Sequence, residues 1–373
     1  MQLRFIRSPE LRGIVGLVLI ILVIAFVLAA VSGSLEQWFG ITWFSGKRVL
    51  DKIVYVSGAS EKTSLYTIDP DGTNSRQLTN KVSVVSAPAI SPSGRRIVFL
   101  GMRNGGVQVF SVGARGGSPR QLTGSELPKD YPAFRPDEKN VSYIAGGRVY
   151  EADLRGQGAS VVLPTRELEH AAIAQRDKIP SYSQYAWSPT GQSIVAVTQT
   201  EDDNDVLVRL PIPDGSAQAF PGPPGARVKI EGISFADAAD VLAVSTTIDE
   251  TSTVLVIDFQ KEKSAPVMMS KEGSFGRPAL SADARIVAVP VRPVEGEEGG
   301  KLVWANAGSG EQKSIEGNFE GAAFSPKGDK ILAVQTDKDG KRDIVIIGPE
   351  TSDLRKLTND GKVVSAIWSP ASE

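Results

Sequence analysis

The chain has 373 residues, with 41 Lys and Arg against 43 Asp and Glu, 37 Gly, 23 Pro, one His and no Cys. Without Cys there is no disulfide, thiolate metal site or catalytic Cys, and a single imidazole excludes a polyhistidine metal centre. A net charge of -2 offers no basic footprint for nucleic acid, and the many glycines and prolines in a chain of ordinary hydrophobicity predict short strands joined by turns.

The first predicted element is apolar. Residues 13–32 carry no charge, and about 20 apolar residues at a rise of 1.5 Å match a hydrocarbon layer of roughly 30 Å, so this stretch reads as a transmembrane helix. A cleaved signal peptide ending near Ala30-Val31-Ser32 is the rival reading, and the length of the apolar run favours a retained anchor. Arg4, Arg7 and Arg12 precede the run with only Glu10 opposing them, which predicts a cytoplasmic segment 1–12 and an extracytoplasmic remainder. Residues 33–47 form a juxtamembrane linker whose Trp38, Phe39, Trp43 and Phe44 suit the headgroup region, or alternatively pack on the following domain.

From residue 48 onward one pattern repeats. An apolar marker, a Ser-Pro-x-Gly turn and a β-branched strand recur, intact or degraded, with markers at Ile90, Phe134, Trp187, Phe235, Leu280, Phe324 and Trp368, at steps of 44 to 53 residues. That period fits a four-stranded propeller blade. Second strands read as runs such as Arg96–Leu100, third strands as runs such as Val254–Ile257, and fourth strands carry Arg76-Gln77-Leu78-Thr79, Arg120-Gln121-Leu122-Thr123 and Arg355-Lys356-Leu357-Thr358. The chain enters at a second strand, Lys52–Val56, and its last marker, Trp368, sits in a first strand. The expected fold is therefore an all-β, seven-bladed β-propeller over 48–373, closed across the termini and preceded by one transmembrane helix.

The Ser-Pro-x-Gly turn, the Asp69-Pro70-Asp71-Gly72 turn and the Arg-Gln-Leu-Thr strand together resemble the WD-like repeats of TolB-type propellers, which also occur in prolyl-oligopeptidase-type enzymes. The resemblance implies a propeller over roughly residues 48–370 and little about activity. The TolB family has six blades and an N-terminal α/β domain, and the peptidases add a hydrolase domain with a Gly-x-Ser-x-Gly elbow; this sequence shows neither, so neither role carries over.

The strand assignment puts both ends of the propeller on the face bearing the Ser-Pro turns, so an anchor would tether that face and present the opposite, loop-rich one. On the loop-rich face, residues 166–176, including Glu169 and His170, favour helix, although an elongated surface loop is the simpler expectation than a helical insertion over the channel. Acidic hairpin tips at Glu201, Asp202, Asp203 and Asp205, and at Glu295, Glu297 and Glu298, form a candidate rim for cations or a basic partner, with solvated tips as the plainer reading. Asp337–Asp343 loosely resembles a calcium loop but lacks its last Glu and contains three cations, so a tight hairpin is expected; Ca²⁺ is the one cofactor candidate. Trp187, Trp304 and Trp368 read as core, and no catalytic or metal-ligating set is recognisable. The sequence thus points to a non-enzymatic interaction or scaffold module that meets other envelope or membrane proteins and no nucleic acid. The alternative is a hydrolase- or lactonase-like enzyme, or a small-ligand or metal receptor, working at the channel mouth.

Overall fold

Alternation of apolar residues decides which neighbour each strand touches. Along Arg96–Arg103, Ile97 and Phe99 pack with Val54, Val56 and Leu65, whereas Val98 and Leu100 pack with Val141, Tyr143 and Ala145 on the other side. Successive side chains of a strand leave on opposite faces, so a sheet apolar on both faces must be covered twice. The sequence provides seven such sheets, and the computed structural model, which describes residues 48–59, 62–175, 177–212, 216–293 and 299–372, arranges them as a seven-bladed propeller.

We number the blades in chain order. Blade 1 is built from Ile53–Ala59, Lys62–Ile68 and Arg76–Gln77, with Val363–Trp368 as its first strand. Blades 2 to 7 begin at Ser83, Lys129, Tyr182, Val228, Gly273 and Asn318. First strands of neighbouring blades approach one another, as Tyr182–Trp187 does Val228–Phe235, so they surround the axis. Seven buried clusters fill the seven gaps between consecutive blades, and there is no single central core. Each fully buried Ile, Leu or Phe in these gaps contributes roughly 1.5–3 kcal/mol relative to exposure. Trp187 and Trp304 are packed among them, in agreement with their reading as core.

The Ser-Pro turns have a common chemistry. Ser91 Oγ accepts hydrogen bonds from the N–H of Arg95 and Arg96, Ser188 Oγ from that of Ser193, Ser281 Oγ from those of Arg285 and Ile286, and Ser325 Oγ from that of Lys330. A buried N–H at the start of the second strand thereby finds an acceptor that the ladder cannot supply. The fourth residue of the turn is left-handed, with φ of 67°, 70° and 73° at Gly94, Gly191 and Gly328, which is why glycine recurs there. Every marker then pairs with the residue seven places on: Ile90 with Ile97, Phe134 with Val141, Trp187 with Ile194, Phe235 with Leu242, Leu280 with Val287 and Phe324 with Ile331.

The seventh marker makes the same contacts across the termini. Trp368 pairs with Ile53, Ser369 Oγ accepts from Lys52 N at 2.8 Å, and Ser369 N donates to Lys52 O at 2.8 Å. The expected closure is therefore present and uses the same turn as the blades. Val49 N donates to Gly94 O, so the chain enters the domain among the Ser-Pro turns, as the strand assignment required. Among the described residues no helix is long and apolar enough to cross a membrane. The anchor read at 13–32, the segment 1–12 and the linker aromatics Trp38, Phe39, Trp43 and Phe44 lie outside the described residues, as do Glu295, Glu297 and Glu298.

Candidate functional site

The loop-rich face departs from its expected form at the connection between blades 3 and 4. Residues Arg166–Gln175 form a helix, α1, where an elongated loop was the simpler expectation. Thr165 caps it, its Oγ1 accepting from Leu168 N at 3.3 Å, and Glu167 and Glu169 sit in the first turn where the helix dipole favours carboxylates. Those residues were the available signal for a helix. Glu169 pairs with Arg148 of the blade 3 hairpin at 2.5 Å, which ties α1 to the rim; His170 is exposed and Ile173 stands 63% exposed.

The acidic tip of blade 4 divides. Glu201, Asp202 and Asp203 are exposed, but Asp205 is buried, accepting from Ile230 N at 2.7 Å and Gln199 Nε2 at 3.1 Å. Asp205 is thus a clamp between blades 4 and 5 and not a member of an open rim, because a buried carboxylate needs fixed donors. Among the described residues no group of three or more His, Asp or Glu is placed to hold a metal ion. The Asp337–Asp343 segment is a tight turn: Asp337 Oδ1 accepts from Asp339 N and Lys341 N, both at 2.9 Å. Its last carboxylate, Asp343, is buried against Thr358, Gly361 and Lys356. Burial would raise the pKa of Asp343, but the bonds from Lys356, Thr358 and Gly361 outweigh it and hold the carboxyl below its ordinary value.

A cavity of about 690 Å³ opens between blades 4 and 5, lined by Leu207, Phe220, Val244, Leu255 and Phe259, with Arg209 beside them. It exists because the outer strand Gln218–Phe220 pairs only with Leu207–Arg209, leaving the rest of the third strand uncovered. Arg209 stacks 4.2 Å over Phe259 and pairs with Asp240 at 2.6 Å, so its charge is already met.

The central channel holds what the sequence did not reveal. All seven first strands lose regular pairing at one level, a few residues before the marker. Tyr131, Ser183, Glu231, Arg277 and Val364 stand at these interruptions. Pro88, Pro132 and Pro278 sit two residues before their markers and cannot donate to the ladder, which was the readable sign of a break. Tyr131 has φ of 49°, a left-handed conformation unusual for an aromatic residue, held by Tyr185, whose hydroxyl lies 2.8 Å from Tyr131 O.

Arg277 comes from blade 6, yet its guanidinium carbon lies 5.8 Å from the centroid of the Tyr131 ring of blade 3. Its Nε donates to Ile233 O of blade 5 at 3.2 Å. A Cβ at Gly232 would fall 2.7 Å from Arg277 Cα, so the stem is seated against bare backbone that only glycine provides. The side chain is open to channel water but surrounded by protein, and this enclosure lowers its pKa against the pull of Tyr131 and Tyr185. Among the described residues no carboxylate lies within ion-pair distance of it. By contrast Arg342 pairs with Glu320 at 2.5 Å, and Lys229 lies 3.8 Å from Glu231.

No family model matches the chain, and no curated protein matches it. Among solved structures, a prolyl endopeptidase superposes with a TM-score of 0.62 at 14% identity, over 85% of this chain and 49% of that one. An oligogalacturonate lyase in complex with manganese gives 0.59 at 12% identity, over 85% and 89%. TolB from Acinetobacter baumannii gives 0.49 at 17% identity over 85% and 82%, a score too low to carry an argument. At these identities the shared property is the propeller fold, and the chain spans about half of the endopeptidase.

Proposed function

We propose that the chain is a membrane-tethered, extracytoplasmic propeller acting as a protein-interaction or scaffold module, a subunit of an envelope complex. The observation that carries this reading is the contrast between a ring closed across its termini and a decorated loop-rich face. That face displays Glu201, Asp202 and Asp203, His170 and the apolar Ile173 on a helix clamped to the rim. Rigid scaffolds bearing exposed, chemically mixed loops suit recognition of another protein.

Purification of the full chain in gentle detergent, with and without Ile173→Asp, tests the reading. A partner that co-purifies with the parent and is lost from the variant is the expected result; a chain that always runs alone overturns it. A second reading, an enzyme or small-ligand receptor using the channel, draws on the uncompensated Arg277 guanidinium. For its metal-dependent form, a stoichiometric Ca²⁺ in the purified protein that raises the melting temperature is the result to seek.

A further inference from the structure

We propose that the Arg277 guanidinium, which faces the channel, binds a small ligand bearing a single carboxylate. The proposal rests on the donor inventory. A guanidinium has five N–H donors in a planar fork, and one of them is taken by Ile233 O. The fork therefore retains donors that meet no side-chain carboxylate among the described residues. Guanidinium forks match carboxylates two bonds at a time.

Three features show a built site. Gly232 clears the space for the arginine stem, Tyr185 fixes Tyr131 in its left-handed conformation, and the Tyr131 ring stands beside the guanidinium. Backbone conformations of this kind persist only where surrounding contacts over-determine them. The charge count selects one carboxylate over a phosphate dianion. Arg277 is one cation, met in full by one negative charge; of the carboxylates on the first strands, Glu231 and Glu320 already face Lys229 and Arg342. The proposal rests on the channel-ligand reading above and is independent of whatever meets the outer rim, so absence of a carboxylate shift and absence of a rim partner are separate outcomes.

The test is thermal unfolding of the full chain in detergent with sodium acetate or sodium benzoate, against sodium chloride at equal ionic strength and against sodium phosphate. The expected result is a rise of roughly 2–4 °C with the carboxylates over chloride. That rise vanishes in Arg277→Gln and survives, weakened, in Arg277→Lys. Circular dichroism of both variants establishes that the ring is intact; if Arg277→Gln does not fold, Arg277→Lys and Tyr131→Phe supply the comparison. The proposal falls if neither carboxylate shifts the transition, if the shift persists without the guanidinium, or if phosphate stabilises more than either carboxylate.

Discussion

Two rings share the propeller axis and obey different rules. The ring of Ser-Pro turns repeats its side-chain chemistry from blade to blade, so Ser91, Ser188, Ser281, Ser325 and Ser369 all accept from the start of a second strand. The ring of first-strand interruptions repeats only its backbone irregularity, and the side chains there are Tyr131, Ser183, Glu231, Arg277 and Val364. Where a residue type recurs at a structural position it serves the fold, which uses the same serine bond in five of its seven blades. Where the position recurs and the residue type does not, fold energetics impose little, and other demands choose the side chain.

Variants can break or sharpen this contrast. The largest effect is expected from ending the chain after Lys362, which removes Val363–Trp368 and Ser369. Blade 1 then loses its first strand, and gel filtration with circular dichroism should show no cooperatively folding monomer. Next is Asp343→Asn. Blade 2 has Gln108 at the matching place, accepting from Thr123 Oγ1 at 2.8 Å, whereas blade 7 uses a carboxylate paired with Lys356 at 2.7 Å. A carboxyl whose folded pKa is depressed stabilises above its unfolded value, near 3.8, and that stability disappears as pH falls through the folded pKa. Asp343→Asn should therefore cost about 2 kcal/mol near neutral pH, and the gap in urea midpoints from the parent should close below pH 4.

A smaller loss, about 1 kcal/mol by urea denaturation, is expected for Ser369→Ala, which deprives Lys52 N of an acceptor that the ladder does not supply. Ala284 occupies the glycine place of the blade 6 turn with φ of 59°, so Ala284→Gly should gain up to about 1 kcal/mol as the left-handed strain is relieved. The smallest effect belongs to the other ring: without added carboxylate, Arg277→Gln should leave the midpoint within about 0.5 kcal/mol of the parent. A loss as large as that of Ser369→Ala would erase the distinction between the rings.

The first ring was legible in the sequence because its bonds need particular residues at fixed spacing: Ser to accept, Gly to turn left-handed, a β-branched strand to follow. Seven blades and the cross-terminal closure followed from that spacing alone. The second ring was not legible, because a strand interruption needs no residue type, and Arg277 sits in Gly276-Arg277-Pro278 with no motif around it. Its contact with Tyr131 joins non-adjacent blades, which a nearest-neighbour repeat pattern cannot encode. Asp205 misled for a related reason: it ends a run of acidic residues in the sequence, but the strand begins there and turns it into the gap toward Ile230. In α1 the Thr165 cap and early glutamates were present, yet ten residues with a weak apolar face left a loop the simpler expectation.

The closure between Lys52 and Ser369 spans 317 residues. On the ribosome, where roughly 5–20 residues are added per second, the first blade must wait on the order of 15–60 s for its innermost strand. Through that interval the edge of Ile53–Ala59 is a pairing template with its proper partner still unmade. The ring is therefore a post-translational event: six blades can assemble as they emerge, while the blade synthesised first is the last to be finished.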